Sequence, residues 1–187
     1  MISAVLDACV LYPAPLRDFL LRLAFAKSFF PLWSEEIHAE WMRNLLQNRP
    51  DLKRERLERT RREMDTQFPN SLVREYEPIT PMLTLPDSSD NHVLAVAVHK
   101  KAEYIVTFNL RDFPKSVLAP YRVEAVSPDD FTVRIINYDV QTFIDTVAKH
   151  RTFLNHLTKT VEEYLATLEK QGLSKTVAFL WEHTAEL

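Results

Sequence analysis

Acidic side chains close or open the apolar runs of this sequence at places where one cation could gather them. Asp7 ends the run 2–6, Asp87 and Asp90 open the stretch 90–101, and Asn109 and Asp112 follow the run 104–108. Glu40 lies one turn into a predicted helix that starts after Ser34. An acid ending an apolar N-terminal strand is buried and needs a partner. Two bare carboxylates about 5 Å apart repel by roughly 3 kcal/mol at an effective dielectric near 20. Four in one pocket would protonate or unfold the site unless a cation neutralised them. All-oxygen ligation suits Mg²⁺ or Mn²⁺ rather than zinc or copper. Such an ion binds phosphate oxygens and activates water for in-line attack on a phosphodiester.

Each residue also has a plainer reading. Asp87 reads as a helix cap in a supporting position, and Asp90 can both cap and ligate. Asp112 can cap a short turn before Pro114, and Glu40 alone reads as a solvated surface acid. Cys9 reads as packing, with no Cys–His pair near it. The segment 53–62 holds six basic residues against two acids. Arg54, Arg61 and Arg62 share part of one helix face and can track phosphates. The plainer alternative is a solvated helix laced with i,i+4 pairs such as Glu55–Arg59 and Glu58–Arg62. His38, His92 and His99 read as surface or core-edge residues, with substrate contact the alternative for His92. Trp33, Trp41 and Trp181 read as core or interface.

The elements that must position these groups follow from periodicity and punctuation. Short apolar runs at 2–6, 29–33, 104–108 and 122–126 predict strands, and 73–79 is extended but interrupted by Pro78. Helices are expected from Pro15 to about 27, from Ser34 as N-cap to about 48, over 51–68 and over 90–101. This alternation predicts a parallel sheet covered by helices, with ligands beyond the carboxyl ends of the strands. The helix at 90–101 runs antiparallel to the strand it feeds, so its first turn meets that strand's carboxyl end. From Ser127-Pro128-Asp129-Asp130 onward the pattern is helical, over about 140–150, 152–171 and 173–185, with Gly172 as a C-cap. Phe143, Val147, Phe153, Leu157, Val161 and Leu165 are the expected apolar contacts there, with a partner groove or dimer surface as the alternative. Two parts are expected, residues 1–132 and a helical extension, 133–187.

Composition narrows the function further. The chain has 187 residues, 46% of them hydrophobic, which is enough for a real core. Its one glycine, Gly172, excludes a Gly-rich phosphate cradle. A single cysteine fits a reducing, cytoplasmic compartment. The start has no basic region and meets Asp7 at once, so no signal peptide is expected. The apolar stretch 19–33 carries Arg22 and Lys27 and is too short to span a membrane. A net charge of -3 argues against a general nucleic-acid coat protein but leaves room for a nuclease.

The ordered set of Val5-Leu6-Asp7-Ala8-Cys9-Val10-Leu11-Tyr12-Pro13, Ser34-Glu35-Glu36-Ile37-His38-Ala39-Glu40-Trp41, Leu85-Pro86-Asp87-Ser88-Ser89-Asp90-Asn91-His92-Val93-Leu94-Ala95-Val96-Ala97 and Ile105-Val106-Thr107-Phe108-Asn109-Leu110-Arg111-Asp112-Phe113-Pro114 resembles the PIN-domain nucleases. The resemblance is nearest to the VapC-like toxins of toxin–antitoxin pairs and spans about residues 1–130. It implies an α/β/α sandwich on a central parallel sheet, with a C-terminal helical extension. It implies that Asp7, Glu40 and Asp90 hold Mg²⁺ or Mn²⁺ and that Asp112 completes the quartet, with Asp87, Thr107 and Asn109 in support. Many relatives carry an acid where this chain has Asn109, while others place it three residues later, as here. The implied activity is endoribonucleolytic, the implied partners are RNA and an antitoxin, and a homodimer is common among such toxins. Two alternatives stay open: a non-catalytic RNA- or protein-binding module, and phosphatase or phosphotransfer chemistry with Asp7 as nucleophile. The latter usually wants a second acid at position 9, which is cysteine here.

Overall fold

The computed structural model describes residues 2–153 and 159–187. Five strands form one parallel sheet: β1 (Ser3–Leu6), β2 (Phe30–Ser34), β3 (Leu72–Val73), β4 (Tyr104–Val106) and β5 (Glu124–Val126), in the spatial order β3-β2-β1-β4-β5. Val5 is level with Leu32 on one side and Ile105 on the other. Helices flank the sheet and a helical region follows it, which is the expected α/β/α class. The strands are short and apolar on both faces, as parallel strands covered on both sides must be. Ala4, Val5, Leu6, Ile105 and Val106 are fully buried. Truncating one of the larger of them to alanine would cost about 2–5 kcal/mol.

The chain divides into two compact units. One comprises 2–12 and 30–126 and contains all five strands. Its helices are α1 (Ala8–Leu11), α3 (Glu35–Asn48), α4 (Arg54–Gln67), α5 (Asn91–Lys100) and α6 (Lys115–Leu118). Ser34 caps α3 by accepting from the Ile37 N–H at 3.2 Å, as expected. α5 packs on β1, β2 and β4, and Val93, Leu94, Ala95, Val96 and Ala97 are all buried. Lys101 ends α5 in the left-handed region, with φ 53°. Lys27, Glu75 and Arg122 also have positive φ, so this glycine-poor chain makes tight reversals with ordinary residues.

The other unit comprises 13–29 and 127–187. It holds α2 (Ala14–Phe25), α7 (Pro128–Tyr138), α8 (Val140–Phe153), α9 (Val161–Glu169) and α10 (Ser174–Trp181). Ser127 caps α7 with Pro128 in its first turn, and Gly172 lies between α9 and α10 with φ 81°, both as predicted. Phe143, Val147 and Leu165 are buried, but Phe153 is exposed, with the Arg22 guanidinium 4.6 Å from its ring centre. Leu157 lies outside the described residues. α1 and the 3₁₀ turn Ser88–Asp90 are additions to the sequence reading. Of the extended stretch expected near 73–79, only β3 joins the sheet, through Trp33–Leu72 and Ser34–Val73 pairing. Pro78 leads instead into a 3₁₀ turn at Thr80–Met82.

Candidate metal centre

The strand order reverses direction between β1 and β4, and the centre lies at their carboxyl ends. The Asp7 N–H donates to the Val106 carbonyl at 3.1 Å, continuing the β1–β4 pairing by one residue. The Asp7 side chain then turns from strand to helix cap. Its Oδ1 accepts from the Ala8 N–H at 2.6 Å, opening α1. Its Oδ2 accepts from the Thr107 hydroxyl at 2.6 Å and the Cys9 thiol at 3.1 Å. Burial pushes the Asp7 carboxyl above its ordinary range, these three hydrogen bonds oppose the rise, and the Glu40 charge adds to it. The acid is thus buried, partnered and held in one orientation, as its position after an apolar strand demanded.

Thr107 and Cys9 do more than the sequence revealed. Thr107 is fully buried, and its oxygen also accepts from the Asn109 N–H at 2.9 Å. One hydroxyl therefore ties Asp7 to the loop that carries Asn109 and Asp112. Cys9 was expected only to pack. Its sulfur also accepts from the Phe108 N–H at 3.3 Å, joining α1 to the end of β4. Burial, and next the Asp7 charge, push the Cys9 thiol up to about 12, which removes it as a nucleophile at neutral pH.

Asp90 ends the 3₁₀ turn before α5 and is half-buried. Its carboxyl is raised to about 6, first by burial, then by the charges of Asp7, Asp87, Asp112 and Glu40. The structure therefore gathers into one electrostatic neighbourhood the four acids named as ligands, with Asp87 beside them. Asp87 takes the capping role: its Oδ1 accepts from the Ser89 N–H at 2.9 Å and the Ser89 hydroxyl at 2.7 Å. Asp112 sits in a turn closed by its N–H donating to the Asn109 carbonyl at 3.0 Å, and buried Phe113 anchors that turn. Asn109 itself is exposed.

Glu40 projects from α3 beside the fully buried Trp41. His92, in the first turn of α5, is buried, which corrects its reading as a surface or core-edge residue. Its Nε2 lies 3.5 Å from Glu40 Oε2 and its Nδ1 3.9 Å from Glu36 Oε2. His38 is likewise fully buried. Trp41 Nε1 donates to His38 Nδ1 at 3.0 Å, so the ring proton is on Nε2, directed at Asp65 Oδ1 3.2 Å away. Asp65 also accepts from Trp33 Nε1 at 2.9 Å. Trp33 and Trp41 are core residues, whereas Trp181 is half-exposed.

The arginines divide. Arg61 pairs with Glu35 and approaches Asp65 at 3.6 Å, so it pins α4 to α3 and is not free to track phosphate. Arg54 approaches Glu58 at 3.9 Å and stays exposed, as does Arg62. The helix is laced by i,i+4 pairs, but in a different register from that expected: Arg54–Glu58, Arg59–Glu63 and Arg61–Asp65.

Among the described residues, no three His, Cys, Asp or Glu side chains stand close enough to form a ready-made cage for a metal ion. Like charges spread carboxylates apart. The fit to Mg²⁺ rests on donor chemistry: the acids are all-oxygen, partly desolvated, and act on one another through their charge. Mg²⁺ keeps several waters and needs only one or two direct carboxylates, so it does not require a tight protein cage.

Residues 3–111, over half of the chain, match the family model of the PIN domain, and residues 128–182 match that of the VapC50 C-terminal domain. The chain is 38% identical over 88 residues to the protein named "Putative ribonuclease VapC50" from Mycobacterium tuberculosis (strain ATCC 25618 / H37Rv). That match covers 41% of this chain and 52% of the relative, so the chain spans about half the length of the curated relative it matches. No solved structure matches it significantly.

Proposed function

This chain belongs to the PIN-domain family, and from that premise we propose that it is a divalent-metal-dependent endoribonuclease of the VapC type. In this reading Asp7, Glu40, Asp90 and Asp112 hold the ion, and Asp87, Thr107 and Asn109 support them. The observation that carries it is the Asp90 carboxyl, raised to about 6 first by burial and then by the charges of Asp7, Asp87, Asp112 and Glu40. A site that concentrates negative charge at this cost is built for a cation. The relative's name points to the same activity.

When bound, Mg²⁺ or Mn²⁺ supplies polarisation of a phosphate oxygen and a water of lowered pKa. The protein's part is preorganisation. Thr107 and Cys9 hold Asp7 with one oxygen edge fixed, and the α1 cap fixes the other. Asp87 shapes the turn that presents Asp90. Of Arg54, Arg61 and Arg62, the exposed Arg54 and Arg62 remain for phosphate contact. The partners implied are an RNA substrate, a second copy of the chain, and an antitoxin that covers the acids with a basic side chain. The setting is the cytoplasm, and no helix of the described residues is long and apolar enough to cross a membrane. Residues 1–132 form the nuclease part and 133–187 its extension.

The test is cleavage of RNA by purified protein with added Mg²⁺ or Mn²⁺. Asp7→Asn should lose at least about 100-fold in rate, since it removes a ligand charge without changing shape. Undiminished cleavage by Asp7→Asn, or in excess EDTA, refutes the assignment.

A further inference from the structure

Among the described residues no backbone N–H holds the carboxylate of Glu40 on α3, and the charges of Asp7 and Asp90 repel it. A flexible glutamate in that field would swing into solvent. His92 is placed to oppose this. It lies two residues after Asp90 on α5, is 4% exposed, and holds Nε2 at 3.5 Å from Glu40 Oε2. Its other nitrogen is buried and lacks a hydrogen-bond partner among the described residues. Among the described residues, the one other carboxylate within 4 Å of it, Glu36, is 3.9 Å away, mostly exposed, and engaged at 3.4 Å by the Tyr76 hydroxyl. The ring therefore has Glu40 as its closest ionic partner.

We propose that His92 is a positioning residue, which directs an Nε2–H at Glu40 and keeps that carboxylate turned toward the other acids. The proposal rests on the metal-site reading above. A buried imidazole is a suitable bracket: packing fixes its ring plane, and the rigid ring transmits the position of α5 to a side chain of α3. In this way the helix that presents Asp90 also sets the position of Glu40.

The experiment is Mn²⁺ binding to the full chain, followed by electron paramagnetic resonance titration, without any nuclease assay. His92→Phe keeps the volume and removes the donor. His92→Gln returns a donor at nearly the same reach. His92→Phe should weaken Mn²⁺ by on the order of tenfold, as loss of a ligand-orienting partner does, and His92→Gln should recover most of it. In a Glu40→Gln background, His92→Phe should cost nothing further, because the carboxylate it oriented is gone. Unchanged affinity in His92→Phe overturns the proposal, as does an equal loss with and without the Glu40 carboxylate. If the unaltered chain takes up no Mn²⁺, the metal-site reading falls and this one with it. If Glu40→Gln weakens binding and His92→Phe does not, only the role of His92 falls.

Discussion

Thr107 shows how far one hydroxyl can set a neighbour's chemistry. It donates to Asp7 and accepts from Asn109, so it fixes an acid on β1 and a loop after β4 together. Thr107→Val keeps the shape and removes both bonds. We expect it to fold, to weaken Mn²⁺ by about tenfold, and to be rescued by Thr107→Ser; calorimetric titration checks this. Asp90 predicts a pH effect of definite sign. Its folded pKa, about 6, lies above its ordinary value of 3.8. The proton therefore favours the folded state, and this contribution is full below about pH 4 and lost as pH rises through about 6. Without metal, Asp90→Asn should flatten that loss and raise the melting temperature at pH 7.5 more than at pH 5. A mutant less stable than the parent at pH 7.5 would contradict the burial-and-repulsion account. Asp7 and Asp90 were legible in the sequence because each follows or opens an apolar run. The Cys9 bonds and the buried state of His92 were not, since both depend on partners from other elements.

At the scale of elements, the helices that carry the acids are held by a polar network inside an apolar layer. Asp65 on α4 receives Trp33 of β2 and faces His38 of α3, which receives Trp41. Asp65→Ala leaves the Trp33 and His38 donors unpaired in a buried setting. It should destabilise by about 2–3 kcal/mol in urea unfolding; a loss below about 0.5 kcal/mol would mean that water replaces the acid. In the other unit, Asp129 accepts from the N–H groups of Lys175 and Thr176 at 2.8 and 2.9 Å, capping α10 from another helix. Asp129→Ala should cost about 1–2 kcal/mol, with Asp129→Asn recovering part of it. The local caps Ser34 and Ser127 and the Gly172 turn were readable because donor and acceptor lie within a few residues. The Asp129 cap was not, since its partners are more than forty residues away. β3 was read only as the start of an irregular extended stretch from 73, because two residues carry no periodicity and only pairing with β2 defines the strand.

For the whole molecule, the sequence already disclosed the fold class and the ordered acids. Hidden were the neighbours that would turn those acids into the proposed centre, because three-dimensional adjacency at the β1–β4 switch is a property of strand order. Its overall charge of -3 is modest, and it is the local concentration of acid that matters. Saturating Mn²⁺ should raise the melting temperature at pH 7.5, and by less at pH 5, where Asp90 is protonated. The same shift at both pH values would mean that the ion binds away from Asp90. The left-handed residues have a practical use in such work. Lys101 closes α5 with φ 53°, a geometry that costs a side chain on the order of 1 kcal/mol and glycine almost nothing. Lys101→Gly would therefore give laboratory workers a sturdier parent chain, one in which weakening substitutions among the acids could still be purified and weighed.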